Sequence, residues 1–297
     1  MPITCEYEYH RPAALKDALA LVKKHACGAR ILAGGTDLIV RLKEGIESPT
    51  ALIDIKGIPG IADIEEKNGT FFFGAGVTFT ALLESEAVKS RLPALWEAAK
   101  TVACGGIRNR ATLAGNICSA VPSLDSAPAL LCYGAVVHTD GASGKKKIPL
   151  GEWFLGPKKT VLCEGEMVTG ISVPAPKLKH GGAYCKLGRY HGEDLAQAGL
   201  CMLAFENRTY RLAVGAVAPT PKRITAVEKL VDGQDLTPEL LYKAKAILAE
   251  EINPISDIRA SAEYRTHMIK VLWDNAAAMS TSRLEGKGPD YGVNSLV

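Results

Sequence analysis

Residues 105–125 read GGIRNRATLAGNICSAVPSLD. Gly105, Gly106 and Gly115 remove side-chain bulk where the backbone bends, Thr112 and Asn116 offer neutral hydrogen bonds, and Asp125 offers an acceptor suited to a ribose or ribityl hydroxyl. The same residues also suit a plain turn, in which Asn116 and Asp125 satisfy local backbone and Arg108 pairs with a surface carboxylate. Further toward the N-terminus lies a second glycine-rich stretch, ILAGGTDL at 31–38. A glycine turn leaving a strand can aim backbone N–H groups at an anion without a lysine. This turn fits neither G-x-G-x-x-G nor G-x-x-x-x-G-K-[ST], so a Rossmann site or a P-loop has no direct support.

Around these two stretches the pattern alternates strand and helix. Leu15, Ala18, Leu19 and Val22 recur at helical spacing, so Ala13 to His25 reads as an amphipathic helix. Strands follow at Arg30–Ala33 and Ala51–Ile55, with Thr36 or Asp37 expected to cap a short helix through Leu42. Thr70–Gly74, Ala135–Thr139 and Val168–Val173 read as strands; Thr78–Ser85, Leu92–Val102 and Ser126–Cys132 read as helical. Pro174 and Pro176 mark a boundary, after which three strands (Ala183–Lys186, Leu200–Glu206, Tyr210–Val217) precede helices at Thr225–Leu230, Thr237–Glu250 and Ser261–Met279. The resulting domains are 1–58, 59–176 and 177–282. The tail 283–297 is Gly-rich and polar and is expected to be ordered only by a partner.

The bulk properties exclude several classes. The 297 residues, 47% apolar and 23% charged, make an ordinary globular composition, and a net charge of +3 gives no support for nucleic acid. The runs Lys145–Lys147 and Lys158–Lys159 read as solvated loop charges. No apolar run reaches the ~18 residues of a membrane span and the N-terminus lacks a signal core, so a cytoplasmic location is expected. The eight cysteines are scattered, without C-x-x-C or plant-type C-x₄-C-x₂-C spacing. No metal site and no iron–sulfur cluster held by this chain alone is legible, and no side chain is assigned as catalytic.

Five segments, ILAGGTDL, IRNRATLAGNICSAVPSLDSAPAL, EMVTGISVP, YCKLGRYHGEDLA and ASAEYRTHMIKVL, together resemble the FAD-binding medium subunit of the xanthine dehydrogenase and carbon monoxide dehydrogenase family of molybdenum hydroxylases. They occur in that family's order and spacing, over residues 4 to 280. The resemblance implies an α+β fold: two FAD-binding subdomains (PCMH-type), then a C-terminal three-stranded antiparallel sheet with a helical bundle. It implies a pyrophosphate loop at Ile31, Leu32, Ala33, Gly34, Gly35, Thr36, Asp37 and Leu38, and a second phosphate-facing loop at Thr112, Leu113, Ala114, Gly115 and Asn116. Asp125 matches the family's acidic residue, Val102, Met167 and Val168 match apolar positions beside the flavin, and Lys186 matches a lysine near the isoalloxazine. Arg189 and Asp194 are given support roles.

Two positions depart from the pattern: Ala114 replaces a frequent glycine, and Tyr190 replaces a frequent basic residue. Thr36 stands where related folds with covalent flavin carry histidine, so non-covalent FAD is expected. The resemblance further implies a molybdopterin-containing large subunit, a [2Fe-2S] small subunit, and NAD or another electron acceptor as partners. A self-sufficient flavin oxidase and a flavin-free assembly or scaffold protein are the alternatives; the visible spectrum and the co-purifying chains discriminate them.

Overall fold

The computed structural model describes residues 3–190 and 194–293. Residues 191–193 of the YCKLGRYHGEDLA segment and 294–297 of the tail lie outside the described residues. The first unit comprises β1 (Glu8–His10), α1 (Leu15–His25), β2 (Ala29–Leu32), α2 (Leu38–Lys43) and β3 (Ala51–Asp54). Its sheet has the order β1-β3-β2 with both pairs parallel, as expected of strands joined through helices.

The second unit opens with β4 (Ile64–Lys67) and β5 (Thr70–Gly74), then runs through short helices α3 (Phe79–Glu84), α4 (Glu86–Arg91), α5 (Pro93–Lys100), α6 (Gly105–Arg108), α7 (Leu113–Ser119) and α8 (Ser126–Tyr133). It closes with β6 (Val136–Gly141), β7 (Lys146–Pro149), the small hairpin β8 (Phe154–Gly156) and β9 (Lys159–Thr160), and β10 (Glu166–Pro174). Its five-stranded antiparallel sheet has the order β4-β5-β10-β6-β7. One core runs through both units, from Ala18 and Ile53 to Phe73, Leu130 and Ile171.

The C-terminal unit holds β11 (His180–Leu187), β12 (Ala198–Phe205), β13 (Tyr210–Gly215), β14 (Lys222–Arg223), α9 (Thr225–Val231), α10 (Pro238–Glu251) and α11 (Ala262–Leu284). The antiparallel sheet thus has four strands, not the expected three. The fourth is two residues long behind Pro219 and Pro221, too short to show alternation. Every residue of β12 is buried because the sheet is covered on both faces. Cys201, Leu203 and Phe205 join the core of the first two units, while Leu200, Met202 and Ala204 pack with Leu272 and Trp273 of α11. Gly181 permits this closeness: a Cβ there would lie 2.0 Å from the Ser280 carbonyl oxygen.

The described part of the tail, through residue 293, is held by this chain's own groups and not by a partner. Tyr291 accepts at its hydroxyl from Gly182 N (3.1 Å), Gly292 N donates to Glu97 Oε1 (2.9 Å), and Arg283 stacks 4.2 Å from the Tyr291 ring.

Candidate functional site

Between the first two units lies a cleft of about 960 Å³. One wall is the turn from β2 into α2. Neither proposed cap serves that helix through its side chain. Asp37 instead accepts from Ser119 Oγ at 2.5 Å, which ties the turn to the end of α7, 82 residues away in sequence. The two glycines have different tasks. Gly35 has φ +77°, a left-handed conformation that favours glycine, and a Cβ on Gly34 would lie 2.1 Å from the Arg110 carbonyl oxygen. The missing side chain of Gly34 therefore allows chain to meet chain. The N–H groups of Gly34 to Leu38 find no acceptor among the described residues, as befits a turn feeding a helix start.

The facing wall is the segment 104–125, which forms two short helices rather than one open turn. Thr112 caps α7 by accepting from Gly115 N (2.9 Å), and Asn116 Oδ1 accepts from Ser126 Oγ (2.7 Å). Both polar groups thus have intrachain duties. Bonds from Phe79 N to the Ala111 carbonyl and from Leu113 N to the Val77 carbonyl, 3.0 Å each, pin this wall to the stretch between β5 and α3. Arg108 does not pair with a surface carboxylate; its Nη1 donates to the carbonyls of Val102 (2.7 Å) and Ala103 (2.8 Å). Ala103 (φ 39°) and Ala120 (φ 48°), non-glycine residues in the left-handed region, stand just before α6 and just after α7.

At the inner end stands Asp125. It accepts from Tyr184 OH at 2.8 Å and from Lys186 Nζ at 2.9 Å, and Lys186 also donates to the Thr101 carbonyl at 3.0 Å. Burial raises the Asp125 carboxyl above its ordinary value, against the attraction of Lys186 and the hydrogen bonds from Lys186 and Tyr184. Burial and the neighbouring Asp125 likewise push the Tyr184 hydroxyl well up. The Lys186 side chain is 10% exposed, so it is held inside and does not snorkel to solvent.

Of the residues singled out above, Ile31, Ala33, Gly34, Gly35, Thr36, Asp37 and Leu38 line the cleft together with Val102, Thr112, Ala114, Gly115, Asn116, Asp125, Met167 and Val168. Three do not line it. Leu32 turns toward Gly35, Leu113 is fully buried in the core, and Lys186 reaches the site through Asp125. Asp194 lines the rim and accepts from the backbone N of Leu195 (2.9 Å) and of Arg189. Tyr190 is exposed, with Arg189 over its ring at 6.0 Å.

The sequence reading missed Ser119, Tyr184 and Lys158–Thr160. The first two lie inside quoted segments and were detectable as polar residues there. The lysines, read as solvated charges, line the cleft because the Lys158 N–H donates to the Ala120 carbonyl (2.8 Å) and draws the β8–β9 hairpin over α7. Lys146 is likewise engaged, at 2.5 Å from Glu166. Among the described residues no helix is long and apolar enough to cross a membrane.

Comparison with known proteins gives two family matches. Residues 5–176 match the FAD binding domain in molybdopterin dehydrogenase, and residues 182–279 match the CO dehydrogenase flavoprotein C-terminal domain. The chain is 32% identical over 280 residues to the carbon monoxide dehydrogenase medium chain of Afipia carboxidovorans, covering 93% of this chain and 97% of that one. It is 31% identical over 285 residues to the xanthine dehydrogenase FAD-binding subunit of Escherichia coli O157:H7, covering 94% and 97%. A chain of the crystal structure of the cyanide-inactivated Cu,Mo-CO dehydrogenase superposes with a TM-score of 0.91 at 32% identity, over 95% of this chain and all of that one.

Proposed function

The chain belongs to the FAD-binding medium subunits of the molybdenum hydroxylase family of oxidoreductases, and from that premise we propose that it is the electron-transfer subunit of a cytoplasmic complex. It holds FAD non-covalently, receives electrons from a small [2Fe-2S] subunit and passes them to an external acceptor such as NAD. A large molybdopterin-containing subunit oxidises the substrate. The division into 1–58, 59–176, 177–282 and a tail belongs to the same reading.

The observation that carries it is the convergence of two glycine-rich walls on one cleft, tied across by Ser119 and Asp37. The fit is physical. A cleft of about 960 Å³ lies at the upper end of the ~300–1,000 Å³ range of ligand sites. The acceptor-free N–H groups of Gly34 to Leu38 suit a pyrophosphate. Asp125 uses one bond at each oxygen, so lone pairs remain for a ligand hydroxyl. Val102, Met167 and Val168 supply the apolar contact a flavin ring needs. Thr36 cannot form the histidyl link of covalent relatives.

FAD, when bound, supplies the redox chemistry. This chain's residues position it, exclude water and set its electrostatic surroundings. Lys186, held behind the cleft wall as half of an ion pair with Asp125, would present the bound cofactor with a compensated pair in place of a bare cation.

The purified chain is expected to show FAD absorption bands released by acid or heat, and Asp125→Ala to lower FAD content. A colourless chain that takes up no added FAD sinks the reading. Co-purification of molybdenum and iron–sulfur subunits, with NAD reduction by the assembled complex, tests the relay.

A further inference from the structure

We infer that Glu8, His10 and His25 form a binding site for a divalent transition-metal ion, Zn²⁺ being the ion their chemistry favours. Glu8 and His10 stand two apart on the edge strand β1 and so face the same way. His25 is the last residue of α1. The fold brings their ligand atoms within 4.8 Å of one another. His10 Nε2 lies 2.9 Å and His25 Nε2 3.8 Å from the same oxygen, Glu8 Oε2. The two rings are 5.3 Å apart and tilted by 45°. Around a tetrahedral zinc with bonds near 2.1 Å, neighbouring ligand atoms are about 3.4 Å apart. The two separations from Glu8 Oε2 bracket that value, and the two imidazole nitrogens lie within 4.8 Å of each other, close enough for small side-chain movements to bring all three onto one ion.

His25 makes this cluster more than a surface ion pair. Its side chain is 9% exposed, yet its Nε2 is buried without a hydrogen-bond partner among the described residues. A buried polar atom left unmatched calls for a partner the chain does not supply. A metal ion would satisfy it and His10 together. The carboxyl end of α1 adds partial negative charge at this point, and Lys23 and Lys24 of its last turn are exposed and screened by solvent.

Two imidazoles and one carboxylate suit zinc and its transition-metal neighbours, not magnesium or calcium, and leave a fourth position for water. No short sequence motif announces the set, because its members come from a strand edge and a helix end. His25 directly precedes Ala26 and Cys27, which line the cofactor cleft. The ion would clip the end of α1 to β1 behind that wall.

The test uses the full chain without a histidine tag, stripped by chelator, kept reduced, and titrated calorimetrically with Zn²⁺. One equivalent is expected, weakened at least tenfold by Glu8→Gln and by His25→Gln. Co²⁺ substitution is expected to give a nitrogen–oxygen spectrum without thiolate charge transfer. Glu8 is exposed, so Glu8→Gln is expected to retain the fold even where His25→Gln does not; FAD content is the control for both. Absence of zinc binding, unchanged affinity in Glu8→Gln, or a thiolate band from cysteine would each overturn the site. Zinc binding by a chain that takes up no FAD would sink the flavin reading and leave this one standing.

Discussion

Two buried ion pairs, Glu97–Arg283 and Asp125–Lys186, join the FAD-binding half to the C-terminal unit, and they are built differently. Glu97 accepts two bonds from Arg283 (2.9 and 3.0 Å), one from Tyr184 N (2.8 Å) and one from Gly292 N (2.9 Å), with its side chain fully buried. Asp125 accepts one bond at each oxygen, from Tyr184 OH and Lys186, and forms part of the cleft wall. Tyr184 thus serves one pair with its backbone and the other with its hydroxyl. A bidentate arginine with every carboxylate site engaged leaves nothing for a ligand. A monodentate lysine pair leaves lone pairs facing the cavity. The saturated pair holds the units together; the open one is available to the cofactor.

The largest expected effect tests the saturated pair. Glu97→Ala strands the buried Arg283 and should cost about 3–5 kcal/mol in urea unfolding, with FAD per folded chain unchanged. A drop in flavin affinity in the folded fraction would erase the distinction. Asp125→Asn should do the reverse, weakening FAD about tenfold, or ~1.4 kcal/mol, in a fluorescence titration, with a smaller loss of stability than Glu97→Ala. Unchanged flavin affinity would make both pairs structural. Tyr291→Phe removes only the bond from Gly182 N beside the saturated pair. It should lower stability by about 1 kcal/mol in thermal unfolding and leave FAD content alone.

The finest test uses pH. Asp125 has its carboxyl raised in the folded chain, chiefly by burial. The folded state then binds that proton more tightly than the unfolded state, whose carboxyl titrates near ~3.9. Its contribution to stability therefore falls as pH climbs from that value through the raised folded one, and levels off above. Urea midpoints across that window should lose this slope in Asp125→Asn. An identical slope in the variant would assign it to other carboxylates.

The two pairs also differ in how legible they are in the sequence. Asp125 and Lys186 sit in segments with a recognisable pattern, whereas Glu97 lies mid-helix and Arg283 at the far end of α11, 186 residues apart, with no local signal joining them. The anchoring of the tail is illegible in the sequence for the same reason: the groups that hold Tyr291 and Gly292 are distant in sequence. The long helical stretches α10 and α11 and the apolar, β-prone runs of β5, β12 and β13 are legible in the sequence. The exposed β4 and the short α4, α6, α7 and β14 are not, because so few residues show no period and their order comes from caps and neighbours.

By itself the sequence determined the two glycine-rich turns, because turn chemistry is a local property written in consecutive residues, and through the resemblance of its motifs it determined the family and the α+β class. Only the tertiary structure decided what each glycine is for. Gly34 is bare because another stretch of backbone presses on it, and that neighbour, Arg110, is 76 positions away (110 − 34). The same holds for the Ser119–Asp37 tie, the sharing of Tyr184 by two carboxylates and the meeting of Glu8, His10 and His25. Each depends on distances between segments, which packing sets and local pattern does not encode.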